Sequence, residues 1–264
     1  MESKYLPIGF MDSGIGGLSV LREAVLEMPC ENYIFYGDNG NAPYGEKSED
    51  EIFALTLKCG EHLMNEGIKM LVIACNTMTT IAVHALRDRY NIPVISIEPA
   101  IKPALTAPES RKVIVMATPA TISQNRYLSL KNRVGHSERL IDIPCSGLAG
   151  LIEKGNFTSD EIAEYVENKL VPFRNEDISG LVIGCTHYSF ITPLIKKISA
   201  RVFGHEIGIY DGLYGTVKQI NRVLQERSLL NDSREHGTIR LMSSGDDRSL
   251  DLMKKILDSK SISD

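Results

Sequence analysis

Two cysteines stand where a sequence could turn a thiol into a reagent. In LVIACNTMT the apolar run from Leu71 to Ala74 reaches Cys75 and stops, and Asn76, Thr77 and Thr79 follow. In LVIGCTHYS the same pattern leads to Cys185, then Thr186, His187 and Tyr188. A single cysteine at a strand end reads as a small buried hydrophobe. Two at equivalent strand ends, each followed by polar groups that open a helix, suggest chemistry. A helix N-terminus offers free N–H groups and a partial positive charge, which suit an anionic ligand and lower a thiol pKa from its free value of about 8.5. Two thiols facing one another across a cleft would be a base and an acid of the same type. Taking a proton from one face of a substrate carbon and delivering one to the other inverts a stereocentre without a cofactor.

Other residues fall at similar places. DSGIGG (12–17) supplies Asp12, Ser13 and a glycine-rich turn; Asp12 or Ser13 either caps the next helix or faces a ligand. The stretch is neither GxxxxGK[ST] nor GxGxxG, so nucleotide-phosphate loops are not indicated. Thr118 follows a strand as Asp12 does. Asn41-Ala42-Pro43-Tyr44-Gly45 is a turn after another strand, with Asp38 nearby. His187 lies two residues from Cys185 and can tune or relay its proton, although a lone histidine is more often a satisfied structural residue. Glu153, in LIEKG, reads by itself as a solvated carboxylate. Cys30, Cys59 and Cys145 lack such context and read as structural. The five cysteines show no CxxC spacing, which argues against a disulfide framework or a zinc site and fits a reducing cytoplasm.

Positioning these residues requires strands that end at them. Apolar runs predict strands over 6–11, 33–36, 69–74, 92–97, 112–117, 139–143, 179–184, 206–210 and 237–242. Several lack alternation, as strands covered on both faces do. Helical patterns lie between them at 17–28, 48–66, 77–90, 121–132, 158–170, 189–200, 212–228 and 246–258. Regular alternation predicts an α/β chain with mostly parallel sheets. The halves look alike: IGFMDSGIGGLSVL pairs with VIVMATPATISQNRYL, and MLVIACNTMT with GLVIGCTHYS. Four elements in matching order predict two pseudo-symmetric domains, with EPAIKPALTAPES (98–110) as the crossover. Asp12, Cys75, Thr118 and Cys185 all fall at carboxyl ends of strands, where open α/β sheets bind ligands.

Composition narrows the function classes. The chain has 264 residues, 43% apolar and 24% charged, with a net charge of −5. That is enough for one large or two smaller cores. Without basic blocks or a basic helix, a nucleic-acid or anionic-membrane partner is not expected. The N-terminal stretch lacks the pattern of a signal peptide, and no apolar run approaches the about 20 residues of a membrane span.

DSGIGG at 12–17, Pro43-Tyr44-Gly45, Ala74-Cys75-Asn76-Thr77 and Gly184-Cys185-Thr186-His187-Tyr188, in this order, resemble the glutamate racemases of the cofactor-independent aspartate/glutamate racemase superfamily. The resemblance extends through IPVISIEPAI (92–101) and LIEKG (151–155). It implies two α/β domains, 1–97 plus 210–264 and 98–209, with the active site in the cleft between them. It implies interconversion of L- and D-glutamate without pyridoxal phosphate or metal, in a bacterial cytoplasmic homodimer that feeds peptidoglycan synthesis. Carried over, Cys75 deprotonates the D-isomer and Cys185 the L-isomer. Asp12 and His187 assist the thiols, and Glu153 sits close to His187. Asp12, Ser13, Pro43, Tyr44, Gly45, Cys75, Asn76, Thr77, Thr118, Thr121, Cys185, Thr186 and His187 match positions that contact substrate. Met78, Ser189, Asn41 and Gly212 depart from the usual residues, and none of them removes a proposed catalytic atom. Rival readings are racemisation of aspartate or another acidic amino acid, a thiol redox pair, and an amino-acid binding module without turnover.

Overall fold

A computed structural model describes residues 3–107 and 111–259. Its frame is two parallel sheets. The first contains β1 (Ile8–Asp12), β2 (Tyr33–Gly37), β3 (Met70–Ile73), β4 (Val94–Ser96) and β9 (Ile239–Ser243), in the order β4-β3-β1-β2-β9. The second contains β5 (Lys112–Ala117), β6 (Leu140–Pro144), β7 (Ile178–Ile183) and β8 (Gly208–Tyr210), in the order β6-β5-β7-β8. Read from its own first strand, each sheet repeats one pattern: first strand central, second on one side, third and fourth on the other. The repeat seen in the sequence is thus a repeat of topology. β9 is the addition, laid parallel to β2 with Ser243 opposite Gly37, itself opposite Asp12.

The strands form where β-branched and large apolar residues run without interruption. β1 and β3 are buried along their whole length because helices cover both faces. The nine predicted strands are present, with ends displaced by at most two residues and β5 matching at both ends.

The helices are α1 (Leu18–Glu27), α2 (Glu49–Asn65), α3 (Asn76–Arg89), α4 (Ile101–Thr106), α5 (Pro119–Ser123), α6 (Asn125–Val134), α7 (Leu148–Glu153), α8 (Asp160–Leu170), α9 (Thr192–Phe203), α10 (Leu213–Glu226) and α11 (Asp247–Asp258). Their ends follow local chemistry. The Ser48 hydroxyl accepts the Glu51 N–H at the start of α2, whose first turn carries Glu49, Asp50 and Glu51. Gly135 and Gly204, at φ +77° and +75°, close α6 and α9.

Two helical expectations are corrected. The helix predicted over 121–132 is interrupted: Gln124 is extended, at φ −80° and ψ 142°, and separates α5 from α6. The helix predicted over 189–200 begins as a 3₁₀ segment, Thr186–Ile191, and becomes α-helical only at Thr192, where Pro193 fits the first turn. The segment 98–110 contains α4, and its last three residues lie outside the described region. α7 is not foreseen, because six residues after Gly147 at φ +78° show no periodicity to read.

Candidate active site

Four strand ends of the two sheets meet. β1 delivers Asp12, β3 delivers Cys75, β5 delivers Thr118 and β7 delivers Cys185. All four are buried, with Cys75 and Cys185 only 5% and 7% exposed. The two thiols are close enough for charge on Cys185 to act on Cys75.

Around Cys75, the Ser13 hydroxyl lies 3.6 Å from its sulfur, and Asp12 is nearby and wholly buried. Asp12 does not cap α1, which starts after Gly17 without a side-chain cap. Its carboxylate instead accepts the Gly14 N–H at 2.8 Å and the Thr186 hydroxyl at 3.1 Å, the latter from the other lobe. Burial pushes the Asp12 carboxyl above the usual range, against His187 and the Gly14 N–H. Burial, then the charge of Asp12, pushes the Cys75 thiol up to about 12, with the Met78 N–H opposing. The expected lowering of this thiol by its helix start is overturned in the closed cleft: removing a thiolate from water costs more than one N–H returns.

Cys185 has a different neighbour. Its sulfur is 3.8 Å from Nδ1 of His187, whose Nε2 is 2.6 Å from Oε2 of Glu153. Burial works against the His187 cation, but hydrogen bonds to Cys185 and Glu153 outweigh it and hold its pKa well above the ordinary histidine value. Burial likewise opposes the Glu153 anion, yet His187, the Ile15 N–H and Asn39 bring its pKa below the usual value. Glu153 is thus not a solvated carboxylate; its side chain is 17% exposed. It spans the lobes, accepting Ile15 N–H at 3.1 Å and Asn39 Nδ2 at 2.6 Å from the first.

The turn glycines explain how the lobes come this close. A Cβ on Gly14 would lie 2.4 Å from Glu153 Oε2, and one on Gly16 would lie 2.5 Å from His187 Nδ1. Only a backbone without side chains fits against that opposing surface.

The remaining predicted residues frame the same space. Thr77, from α3, and Thr118 and Thr121, from the second lobe, join their hydroxyls in a ring with sides of 3.0, 3.2 and 2.9 Å. Asn76 is buried with its Oδ1 unpartnered. Pro43 precedes a 3₁₀ turn at Tyr44–Glu46, with Gly45 pressed against Thr118. Tyr44 donates its hydroxyl to Asp38, which also accepts from Asn41 at 3.0 Å and from Ser244. A separate cleft of about 910 Å³, lined by Arg87, Glu98, Arg126 and Tyr214, holds none of the predicted site residues. Among the described residues, no three His, Cys, Asp or Glu side chains gather as a metal site would require.

Sequence reasoning missed Asn39, Ser243 and Glu46, whose carboxylate accepts the Gly147 N–H across the lobes. Asn39 carries no local signal beyond its place after a strand end, and Ser243 none.

The sequence profile of the Asp/Glu/hydantoin racemases matches residues 19–213. The chain belongs to that family. It is 44% identical over 261 residues to a glutamate racemase of Clostridium perfringens, covering 98% of this chain and 99% of that one. In structure it is similar to a glutamate racemase isoform from Bacillus anthracis, with a TM-score of 0.84 and 29% identity over 96% of this chain and 94% of that one. The glutamate racemase of Francisella tularensis, solved in complex with D-glutamate, matches with a TM-score of 0.82 and 27% identity over 96% and 94% of the two chains.

Proposed function

We propose that this chain interconverts L- and D-glutamate by proton transfer at Cα between Cys75 and Cys185. The observation that carries the reading is that the two sulfurs, both buried, stand at topologically equivalent strand ends of opposed lobes, with the charge of Cys185 felt at Cys75. Near-full-length identity to a named glutamate racemase supports glutamate as the substrate.

In the L-to-D direction, Cys185 as thiolate takes the α-proton while the Cys75 thiol gives its proton to the opposite face. Cys75 is left as the thiolate, which removes the proton of the D-isomer in the return direction. His187 faces the Cys185 thiolate as a cation, and Asp12 attends Cys75. The carbanion-like transition state is the expensive point, and preorganised donors around the substrate carboxylate lower it. Asn76, Thr77, Thr118, Thr121 and Thr186 supply such donors, with the hydroxyl ring of the closed protein turning to the substrate. Tyr44 and the Pro43 turn wall the site and, with lobe closure, keep water from the carbanion.

The division at 98 and 210 is part of this reading and is supported by sheet membership to within one residue, since Tyr210 still belongs to β8 of the second sheet. So are a cytoplasmic homodimer and a role in supplying D-glutamate for peptidoglycan. Light scattering tests the oligomer. The decisive experiment follows circular dichroism of L-glutamate with purified protein and no added cofactor. The signal is expected to fall to zero as the racemate forms, with aspartate turned over more slowly. An unchanged signal at high protein concentration would reject the reading.

A further inference from the structure

A chain of hydrogen bonds continues behind Glu153 into the far side of the first lobe. Asn39, in the turn after β2, donates its Nδ2 to Glu153 Oε1 at 2.6 Å. Its own Oδ1 accepts the Ser243 hydroxyl at 2.9 Å, and the Ser243 oxygen in turn accepts the Gly245 N–H at 3.0 Å. Ser243 is the last residue of β9, the strand that the repeat does not account for. From Gly245 to Cys185 the order is backbone N–H, serine, asparagine, glutamate, histidine, thiol.

The asparagine sits in a fitted seat. A Cβ on Gly37 would lie 2.6 Å from Asn39 Oδ1, and one on Gly245 would lie 3.2 Å from Asn39 Cβ. Two glycines, one on each side, leave room for this side chain in this orientation. The amide orientation is also set by chemistry: the Glu153 carboxylate can only accept, so the Asn39 nitrogen faces it and the oxygen is left to accept the Ser243 hydroxyl.

We infer that Asn39, held from behind by Ser243, is a positioning residue for the Glu153–His187 pair and through it for Cys185. The inference rests on the proposed role of that pair. Glu153 sits on α7, and both of its oxygens take first-lobe donors, Ile15 N–H on Oε2 and Asn39 on Oε1. Its orientation toward His187 is therefore complete only when the lobes are closed. The Asn39 donor is charge-assisted, the stronger class of hydrogen bond. β9 thereby supplies, through Ser243, the hydrogen bond that holds the Asn39 amide from behind.

The test combines kinetics with thiol labelling. Asn39→Ala removes the donor, and Asn39→Asp keeps the shape but sets a carboxylate against Glu153. Both are expected to lower kcat about tenfold or more, the size of one hydrogen bond to a charged group, with KM changed less than about threefold. Ser243→Ala, which removes one hydroxyl oxygen, is expected to cost a few-fold in kcat. Peptide mapping after brief iodoacetamide treatment should show Cys185 labelled more slowly in the Asn39 variants and Cys75 labelled as in the parent. If Asn39→Ala keeps kcat within twofold, or if both cysteines change together as in a loosened fold, the inference is overturned. Glu153→Gln separates the two levels. If it is impaired while Asn39→Ala is not, only the role of Asn39 fails; if it turns over like the parent, the reading of the Glu153–His187 pair fails with it.

Discussion

Cys75 and Cys185 have the same side chain and opposite surroundings. Cys75 shares its pocket with a carboxylate and a hydroxyl, and its thiol is pushed up to about 12, so the resting protein holds it as a proton donor. Cys185 shares its pocket with an imidazole whose cation is favoured by Glu153. A thiol beside a carboxylate on one side and a sulfur facing a favoured cation on the other suit the proposed inversion of the L-isomer. Replacing either sulfur by oxygen leaves a hydroxyl far too weak an acid to serve as the base. Cys75→Ser and Cys185→Ser should each lose about 10²–10⁴-fold or more of the racemisation rate, as general acid–base contributions do. In deuterium oxide the parent should place deuterium at Cα of the product enantiomer, read by proton NMR. A serine variant with near-parent turnover, or product that keeps its original hydrogen, would contradict two separate proton carriers.

At the scale of elements, the DSGIGG turn does more than start α1. Gly16 packs its α-carbon against His187 and Thr186 of the opposing lobe. It has no positive φ, so alanine there meets a steric rather than a conformational obstacle. Gly16→Ala should keep the far-UV circular dichroism of the parent and lose more than about tenfold of kcat/KM, since a misplacement of about 1 Å in a proton-transfer site costs on the order of 10²-fold. Equal activity would show that the closed packing is not the reacting one. Element identity was largely readable from the sequence: short uninterrupted apolar runs such as Leu71–Ala74, stopped by polar residues, fit strands covered on both faces. The break at Gln124 and the 3₁₀ start at Thr186 were not, because each depends on where the preceding strand end must deliver Thr118 or Cys185.

The whole molecule is two copies of one topology joined face to face, with the C-terminal segment returning to the first sheet as β9. Far from the cleft, Lys69 at the start of β3 is paired with Glu31 at 2.5 Å, both side chains 1% exposed. Lys69 also donates to the Leu229 carbonyl at 2.9 Å, and Glu31 accepts the Asn231 N–H at 2.8 Å. The pair therefore ties the returning segment to the base of the first sheet. Lys69→Ala leaves a buried carboxylate without its cation and should destabilise by about 3–5 kcal/mol in urea unfolding. Lys112→Ala breaks a pair whose partners, with Glu176, are 46% and 42% exposed, and should cost less than about 1 kcal/mol. Similar losses for the two variants would refute the assignment of Lys69 as an anchor of the return.

The sequence by itself determined the alternation of strand and helix, the internal repeat, and the two matched cysteines, because these are properties of order and spacing. Apolar periodicity is local, and a motif at a strand end keeps its place whatever the strand packs against. Tertiary structure alone decided which groups touch. By itself LIEKG reads as a surface carboxylate, and only the resemblance set Glu153 near His187; α7 is what brings it between His187 and Asn39, and Ser243 carried no signal until β9 paired with β2. It also decided the charge states. A helix start predicts a lowered thiol, but the Cys75 thiol rises because closure removes it from water beside Asp12. Contacts between residues a hundred positions apart and the loss of water around them belong to the folded whole, and no window of sequence contains them.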